Sequence, residues 1–552
     1  MGPGLGRGMS AGGEGEGVRA APDSLRAHGQ SVASERRLAR TALLDRLRRS
    51  QRWDVVVIGG GATGLGCAVD AAARGYSTLL VEACDFAKGT SSRATKLIHG
   101  GVRYLARGDL ALVREALAER SRLLANAPHL VHPLRFVVPA YHWHDRARFG
   151  LGLGFYDLLA GIHGIEYSRM LDAAATAAAL PGLNPVGLRG GIAYWDAQFD
   201  DARLAIALMR TVFDLGGLAL NYLPVDGLII EAGSVRGVMA RDAESGEVFR
   251  IAARVVINAT GVWADAVRRL ERPAARALVR PSQGVHVVVD RSFLSGDTAL
   301  LVPETPDGRV LFVIPWQGKV LIGTTDTARP DLPLEPDALP GEVDFILATA
   351  ARYLVPAPTR ADVRSIFVGL RPLVGADEKT ATHRLSREHC IEVSPGGLVT
   401  ITGGKWTTYR RMAEETVDQA CAVGMLPRRP AATATLRLHG ATTGFSGDCY
   451  GSDRAAVDLL PGATQRIQDG LTLTEAEVRH AARFELARGI EDVLARRHRA
   501  LFLDAARAAA AAPAVATLLA EELGHDAQWC ADEVARFRAL AIHYGAPAGE
   551  CS

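Results

Sequence analysis

A short stretch of the chain holds four glycines, Gly59, Gly60, Gly61 and Gly64, in a spacing that suits phosphate binding. Gly59 permits a tight turn, Gly61 lets the backbone approach a pyrophosphate, and Gly64 lets a helix pack closely on a strand. Glu82 follows 18 residues after Gly64, where its carboxylate would accept a hydrogen bond from a ribose hydroxyl. Together these residues predict a dinucleotide-binding site.

Three elements in the expected order must position these glycines. Residues 55–58 and 78–81 are apolar strands, and residues 62–74 between them form a helix pattern. A helix that begins at the glycine turn points free N–H groups and the positive end of its dipole at a phosphate. We therefore predict an α/β domain with a Rossmann-type unit, rather than a glycine-rich turn in some other α/β domain.

Two later segments distinguish FAD from NAD as the dinucleotide. Residues 255–261 form an apolar strand that ends in Ala-Thr-Gly at Gly261, like the strand that returns beneath the dinucleotide in two-domain FAD proteins. Residues 402–408 form a glycine turn at Gly404 that enters a helix, whose N-terminus would stabilise negative charge on a reduced flavin. A simple NAD enzyme has no need of this later segment, so the sequence favours FAD.

The composition is that of an ordinary globular chain. Of its 552 residues, 48% are hydrophobic and 22% are charged, and the formal net charge of +2 gives no sign of a nucleic-acid partner. The seven cysteines show no C-x-x-C spacing, so they predict reduced thiols and neither a zinc nor an iron–sulfur site. No run of about 18 or more apolar residues predicts a transmembrane helix.

The sequence divides into three predicted parts. Residues 1–50 read as a disordered, Gly-rich tail with a short Arg-rich helix near its end. Residues 51–425 read as an FAD-binding domain interleaved with a β-rich substrate-binding domain, the latter mainly at 135–200 and 280–370. Residues 426–552 are rich in Ala, Leu and Arg and predict a helical C-terminal domain.

The segment 90–105, TSSRATKLIHGGVRYL, closely resembles the S-S-x-x-K-L-I-H-G-G-x-R-Y-L motif of the aerobic FAD-dependent glycerol-3-phosphate dehydrogenases. The resemblance covers about residues 52–540, and it implies a two-domain FAD oxidoreductase fold of the glycine oxidase and D-amino-acid oxidase type. The absence of an EF-hand calcium motif favours the bacterial form. Further matching segments follow in the family's order at 200–204, 258–261, 323–326, 369–373, 386–387 and 403–410.

The resemblance implies the reaction and the residues that carry it. sn-Glycerol 3-phosphate would be oxidised to dihydroxyacetone phosphate, with hydride passing from C2 to flavin N5. Arg371 and Arg387 are expected to bind the phosphate, because the planar guanidinium matches phosphate oxygens. Arg103 and Lys405 are expected to polarise the oxygen that becomes the ketone.

The group that takes the hydroxyl proton is left open by the sequence. His99 is the natural titrating candidate, although it would equally suit a role in fixing the loop or packing against the flavin. The resemblance places Tyr104 in the substrate pocket beside Arg103 and Lys405, and Lys96 either serves the site or caps the loop. No metal site is predicted. FAD contacts are expected at Gly59, Gly60, Gly61, Gly64, Glu82, Thr90, Ser91, Ser92, Gly261, Gly404, Lys405 and Thr407.

The resemblance also implies a partner for reduced FAD, a membrane quinone at the cytoplasmic face of the inner membrane. The apolar stretch 149–159 is too short to span a bilayer, and it suits either insertion into one leaflet or burial in the core. The Arg-rich helix within 34–52 suits either contact with anionic lipid or a solvated face. Family members are commonly dimers, so a homodimer is an expectation from the resemblance alone.

Three other functions remain open at this point. A glycerol-3-phosphate oxidase has the same fold and substrate but uses oxygen as the acceptor. An amino-acid-oxidising flavoprotein such as glycine oxidase is disfavoured, because Arg371, Arg387 and Lys405 suit a phosphate better than an amino acid. A non-catalytic FAD-fold binding protein is disfavoured by the intact glycine pattern and Glu82.

Overall fold

The computed structural model describes residues 38–101, 109–303, 305, 308, 310–375, 389–445 and 447–545. The strands in these residues are β1 (Trp53–Ile58), β2 (Thr78–Val81), β3 (Leu97–Ile98), β4 (Val131–Ala140), β5 (Arg169–Leu171), β6 (Gly190–Phe199), β7 (Leu218–Leu220), β8 (Val225–Glu231), β9 (Ser234–Arg241), β10 (Val248–Asn258), β11 (Val279–Asp290), β12 (Ala299–Val302), β13 (Leu311–Trp316), β14 (Lys319–Gly323), β15 (Thr327–Ala328), β16 (Val363–Val374), β17 (His389–Val393) and β18 (Leu398–Gly403). The α-helices are α1 (Arg40–Arg49), α2 (Ala62–Ala73), α3 (Leu110–Asn126), α4 (Trp143–Ala160), α5 (Ala173–Ala179), α6 (Asp201–Asp214), α7 (Ala264–Glu271), α8 (Pro340–Ala351), α9 (Tyr409–Val423), α10 (Arg454–Asp458), α11 (Glu475–Phe484), α12 (Ala500–Leu503), α13 (Ala505–Leu523) and α14 (Ala527–Tyr544).

The first sheet contains the predicted dinucleotide-binding unit. Its strand order is β17-β18-β10-β1-β2-β7, and β8 and β9 continue it as a meander from β10. The strand β1 runs parallel to both β10 and β2, and all of its residues except Asp54 are buried. Parallel strands covered on both faces are expected to be continuous apolar runs. The Rossmann-type unit β1–α2–β2 predicted from the sequence is therefore confirmed.

The second sheet forms the β-rich half of the molecule. Its order is β15-β11-β14-β13-β12-β4-β6-β3, with β16 paired to β11 and β5 paired to β6. The antiparallel pair of β11 and β16 sets Gln283 opposite Leu370 and His286 opposite Phe367. The same register sets Ser282 opposite Arg371. The β-rich part is confirmed as part of the fold, whereas the domain boundaries read from the sequence stay predictions.

The described residues beyond α9 contain helices and no strand, apart from an isolated bridge between Arg466 and Thr474. Helices α11, α13 and α14 pack on one another, and their apolar faces join the second sheet in one core that includes Trp316, Phe367 and Phe502. The helical character predicted for the C-terminal region is confirmed.

Buried ion pairs tie these C-terminal helices to the first sheet. Asp85, in the loop after β2, is fully buried and accepts from Arg496 Nε at 2.5 Å and from Arg497 Nη2 at 3.0 Å. Arg203 of α6 makes two 2.8 Å hydrogen bonds to the Glu485 carboxylate. Removing one partner from such a buried pair costs about 3–5 kcal/mol, so these contacts hold the C-terminal helices against the dinucleotide-binding half.

A half-buried histidine makes a further link of this kind. The Nδ1 atom of His439 lies 2.7 Å from Asp214 of α6, and its Nε2 atom lies 2.8 Å from Asp453. Burial alone would lower the pKa of His439, but the hydrogen bonds to Asp214 and Asp453 outweigh it and raise the pKa to about 9. A raised folded-state pKa contributes stability that is fully present below the unfolded-state pKa and is lost as the pH rises through 9.

We expect the His439→Gln variant to be less stable than the wild type by about 2 kcal/mol at pH 6, and by much less at pH 10. Denaturant unfolding at both pH values measures the difference. The exposed His144 supplies a control, because a His144→Gln change should have little effect at either pH. An equal deficit for His439→Gln at pH 6 and at pH 10 would contradict the assignment.

The first helix, α1, corrects an expectation from the sequence. Arg40 is buried and forms an ion pair with Asp242, and Leu44 and Leu47 belong to the apolar cluster that underlies the first sheet. A fully solvated face therefore does not describe this helix, because its inner side is occupied by packing and a buried ion pair. Residues 38–50 are part of the fold and not of a tail.

The helix α4 carries the apolar stretch 149–159 and has two different faces. Leu153 and Tyr156 are buried, whereas Leu151 and Leu158 are 78% and 73% exposed. One side of α4 thus contributes to the core and the other presents large apolar side chains at the surface. Among the described residues, no helix has both the length and the apolar character needed to cross a membrane.

Candidate active site

A cavity of about 1380 Å³ is lined by residues of both sheets. One side is formed by the glycine turn before α2, the loop after β2, the end of β10 and the turn between β18 and α9. The other side is formed by β11, β16 and the loop after β14. Small-molecule pockets usually measure about 300–1,000 Å³, so this cavity has room for a dinucleotide beside a second ligand.

The glycine turn meets the cavity at two of its four glycines. Gly59, with a φ of 109°, and Gly61 line the cavity, whereas Gly60 and Gly64 do not. Gly64 instead lies against the carbonyl group of Gly59, where a Cβ atom would overlap the carbonyl oxygen. Gly60 packs against Glu82 and donates its N–H to that carboxylate at 2.5 Å. The four glycines therefore shape the turn by different contacts.

Glu82 lines the cavity at the end of β2. Its carboxylate accepts hydrogen bonds from the backbone N–H groups of Gly60 at 2.5 Å and Cys84 at 2.9 Å. Burial raises the pKa of Glu82, and these two hydrogen bonds oppose that rise. The carboxylate is thus oriented by the backbone on both sides of the site.

The three residues from Thr90 to Ser92 form a short 3₁₀ helix beside the glycine turn. Thr90 and Ser91 line the cavity, and Ser92 is buried behind them. The Ser91 hydroxyl accepts from the N–H of Ala62, the first residue of α2, at 2.9 Å. The Ser91 carbonyl accepts from Trp406 Nε1 at 2.9 Å. Trp406 therefore joins this loop to the start of α9.

The residues around this part of the cavity fit FAD. Gly261 lines the cavity with a φ of 59°, and a Cβ atom placed there would project into open space. A side chain at this position would fill the room that a ligand needs. The expected FAD contacts that line the cavity are Gly59, Gly61, Glu82, Thr90, Ser91, Gly261, Gly404, Lys405 and Thr407.

Three residues that the sequence assigned to the substrate line the cavity: His99, Arg371 and Lys405. The Arg371 guanidinium lies against Gly284 in the cavity wall and donates to Thr324 Oγ1 and to the Thr325 carbonyl, both at 3.0 Å. The peptide of His99 is next to the Thr407 hydroxyl, with N–H to Oγ1 at 3.3 Å. Arg103, Tyr104 and Arg387 lie outside the described residues.

Lys96 has a structural position behind the cavity rather than in its wall. Its ammonium is fully buried, pairs with Asp201 at 2.7 Å and donates to the Ser92 carbonyl at 2.8 Å. Burial lowers its pKa to about 7, while Asp201 opposes that shift. Of the two roles left open by the sequence, the geometry favours the one in which Lys96 fixes the loop.

One titratable residue of the site, His286, was not singled out by sequence reasoning. It lines the cavity from β11, its Nε2 atom is 3.0 Å from Thr95 Oγ1, and its Nδ1 atom has no hydrogen-bond partner in the described part of the chain. Burial lowers its pKa well below the ordinary value, as do Lys96 and Arg371, so the imidazole is uncharged. A signal was present, since His286 is the one ionisable residue within the apolar run 284–289.

Helix α4 contributes apolar side chains to the cavity wall. Phe149, Leu153 and Phe155 of α4 line it, with Phe136 and Phe312 of the second sheet also in the wall. Leu151 of the same helix lines the cavity and is 78% exposed. The cavity therefore adjoins the exposed apolar side chains of α4.

Two family models match the chain. Residues 54–410 match the family described as FAD dependent oxidoreductase, and residues 371–530 match the C-terminal domain of alpha-glycerophosphate oxidase. Among proteins of known function, the glycerol-3-phosphate dehydrogenase of Mycobacterium leprae is 39% identical over 521 residues, which cover 89% of this chain and 88% of that protein. The mitochondrial glycerol-3-phosphate dehydrogenase of Homo sapiens is 37% identical, covering 88% of this chain and 73% of that protein.

The similarity extends to solved structures. The glycerol-3-phosphate dehydrogenase of Bacillus halodurans, crystallised with FAD, superposes with a TM-score of 0.75 at 30% identity, covering 93% of this chain and 99% of that chain. The L-alpha-glycerophosphate oxidase of Mycoplasma pneumoniae, with FAD bound, has a TM-score of 0.54 at 17% identity, covering 67% of this chain and 95% of that chain, and shows the shared fold alone.

Proposed function

This chain belongs to the FAD-dependent glycerol-3-phosphate dehydrogenase family, and from that premise we propose that it passes electrons from sn-glycerol 3-phosphate to a membrane quinone. The reaction is the oxidation of sn-glycerol 3-phosphate to dihydroxyacetone phosphate, with FAD as the cofactor. The observation that carries the proposal is the lining of this cavity, which combines the expected FAD contacts, a cationic part with Arg371 and Lys405, and an apolar part with side chains of α4.

The cationic part is suited to hold the substrate. Arg371 would pair with the phosphate dianion, since a guanidinium offers several N–H donors in a planar arrangement. Lys405 would lie near the C2 oxygen and stabilise the negative charge that develops as its proton leaves. FAD, when bound, supplies the acceptor for the hydride of C2.

His286 supports a route for the C2 hydroxyl proton. A general base must be unprotonated before the reaction, and burial keeps this imidazole in its neutral form. Arg371 is one cause of the low pKa of His286, so a phosphate dianion bound at Arg371 would raise that pKa toward neutrality. We propose His286 as the proton acceptor, with His99 as the second histidine of the same cavity.

The apolar part of the cavity supports a quinone as electron acceptor. A quinone is dissolved in the bilayer and has an apolar body, so it needs an apolar route from lipid to the flavin. Helix α4 offers such a route, because its inner side chains line the cavity and its outer ones are exposed. We place the outer face of α4 at the cytoplasmic surface of the inner membrane, where amphipathic helices lie in the headgroup region.

We expect the double variant Leu158→Glu, Ile162→Glu to bind lipid vesicles at least about tenfold more weakly than the wild type, because each change puts a charge where an apolar side chain would be buried. These side chains are 73% and 95% exposed. Vesicle co-sedimentation measures the binding. Turnover with a soluble dye as the acceptor should stay near the wild-type value, because neither residue lines the cavity.

The matched control is Leu459→Glu, a change at another exposed leucine, 87% exposed, in the C-terminal region. It should leave vesicle binding intact. Equal vesicle binding by the double variant and the wild type would contradict the placement of α4 at the membrane.

The acceptor itself is tested by turnover with sn-glycerol 3-phosphate in detergent, once with a short-chain quinone analogue and once with oxygen. The proposal predicts rapid reduction of the quinone and little hydrogen peroxide. Peroxide formed in proportion to substrate, with no gain from added quinone, would instead identify a glycerol-3-phosphate oxidase.

A further inference from the structure

A buried tyrosine of α4 makes contact with the backbone of the loop that enters the active site. The hydroxyl of Tyr156 accepts a hydrogen bond from the N–H of Gly100 at 3.0 Å and donates to the Asp196 carboxylate at 2.9 Å. Gly100 directly follows His99, and both His99 and Gly101 line the cavity. The hydroxyl of Tyr156 therefore contacts the loop one residue from the substrate end of the site.

The sheet register explains why Asp196 stands at this point. Strand β3 pairs antiparallel with β6, so that Leu97 faces Gln198 and Ile98 faces Ala197. Beyond Ile98 the strand pairing ends and the chain turns away. There, Asp196 Oδ1 lies 3.3 Å from the Gly100 N–H. A carboxylate and a tyrosine hydroxyl therefore accept the hydrogen bond of a backbone N–H that has no strand partner.

Asp196 is itself held by a buried cation. Arg120 of α3 pairs with Asp196 at 2.5 Å and donates to the His163 carbonyl at 2.9 Å. The residues Arg120, Tyr156 and Asp196 are each no more than 2% exposed. The hydrogen bonds and the ion pair of this buried network restrict the groups that they hold.

Gly100 allows this close approach. A Cβ atom at Gly100 would collide with the Tyr156 hydroxyl and with Leu117 of α3. The loop is thus pressed against α3 and α4 at a point where its own backbone has no strand partner. Four elements, α3, α4, β6 and the loop after β3, meet at a single backbone N–H group.

We propose that Tyr156, Asp196 and Arg120 are positioning residues that hold the turn at Gly100, so that His99 and Gly101 are presented to the substrate. Arg120 and Tyr156 act through the loop, Asp196 also lines the cavity, and the proposal rests on the oxidation of sn-glycerol 3-phosphate in this cavity. Because Tyr156 belongs to α4, the helix with the exposed apolar face and the loop of the active site are held as one unit.

The inference is tested with full-length holoenzyme carrying Tyr156→Phe, a change that removes the hydroxyl and retains the ring. Tyr141→Phe is the matched control, because the Tyr141 hydroxyl is also hydrogen-bonded to a backbone group, donating to the Asn184 carbonyl at 2.8 Å, but lies away from the loop. The first readout is amide hydrogen exchange of the segment 97–101. Exchange there should be faster in Tyr156→Phe than in the wild type, and unchanged in Tyr141→Phe.

The second readout is turnover with sn-glycerol 3-phosphate and a soluble dye. We expect kcat to fall about tenfold in Tyr156→Phe, with a smaller change in KM and full FAD content, because loop misplacement affects the reacting geometry. Asp196→Asn, which keeps the shape but weakens the pairing with Arg120, should show the same pattern. Tyr141→Phe should retain wild-type kcat, with a similar loss of thermal stability to that of Tyr156→Phe.

Wild-type kcat in Tyr156→Phe, or unchanged hydrogen exchange at 97–101, would overturn the inference. A kcat loss of equal size in Tyr141→Phe would also overturn it, since that result would reflect general destabilisation. Failure of the proposed function is distinguishable, because in that case the wild type itself would not oxidise sn-glycerol 3-phosphate, whereas the exchange experiment needs no substrate.

Discussion

Replacing Arg371 with alanine is expected to lower kcat/KM for sn-glycerol 3-phosphate by about 100- to 1,000-fold, equivalent to roughly 3–4 kcal/mol. The guanidinium lies in the cationic part of the cavity and is only 20% exposed, so its interaction with a phosphate dianion is poorly screened by water. Arg371→Lys should recover only part of the loss, because an ammonium keeps the charge but cannot offer the planar set of donors. Steady-state kinetics with a soluble dye measures both variants.

Arg364 provides the matched control for Arg371. It lies on the same strand, β16, but is exposed and pairs with Asp290 at the surface. Arg364→Ala should leave kcat/KM within about twofold of the wild type, because an exposed ion pair contributes at most about 1 kcal/mol to stability and this one lies outside the cavity. If Arg371→Ala retained wild-type kcat/KM, the assignment of the phosphate to this part of the cavity would be wrong.

Replacing Gly64 with alanine is expected to abolish FAD binding. A Cβ atom at Gly64 would overlap the carbonyl oxygen of Gly59, and that oxygen belongs to the turn that approaches the pyrophosphate. Backbone atoms cannot move aside as the end of a flexible side chain can, so helix α2 must shift away from β1 and the turn must open. Overpacking of this kind costs about 1–3 kcal/mol or more. The flavin-to-protein ratio of the purified variant should fall below about a tenth of the wild-type ratio.

Gly341 supplies the control for this change, since it also lies in the first turns of a helix, α8, and a Cβ atom there would meet no atom within 4 Å. Gly341→Ala should bind FAD fully and should be as stable as the wild type or slightly more so. A Gly64→Ala variant that is purified with a full complement of FAD would contradict the close packing of turn and helix.

The elements around the glycine turn could be predicted almost to the residue, and the reason is that their signals are local. The apolar runs at 55–58 and 78–81 and the helix pattern at 62–74 each form their own element, and the structure places the elements at Trp53–Ile58, Thr78–Val81 and Ala62–Ala73. Short local patterns of apolar residues and glycines also predicted the strand at 255–261 and the glycine turn at 402–408.

The features that sequence reasoning missed depend on partners distant in the chain. Arg40 looked like part of a solvated or lipid-facing helix because its partner, Asp242, lies about 200 residues away. His286 was hidden in a buried strand, where a single histidine is usually a packed side chain. Its place in the cavity follows from the pairing of β11 with β16, which a local pattern does not reveal.

Which side chains of α4 are exposed could not be predicted from a local sequence pattern either. The stretch 149–159 is apolar in the sequence apart from Asp157, which suits burial as well as membrane contact. Only the packed structure separates its buried side chains, such as Leu153, from exposed ones, such as Leu158. The role of Tyr156 could not be predicted from the sequence either, because its hydrogen-bond partner Gly100 is 56 residues away.

The most direct test of the proposed function is the visible spectrum of the purified holoenzyme before and after anaerobic addition of sn-glycerol 3-phosphate. The account predicts that the absorption band of oxidised flavin is bleached by this substrate and returns when a quinone analogue is added. A yellow protein whose flavin band is unchanged by sn-glycerol 3-phosphate would leave the fold in place and contradict the assigned reaction.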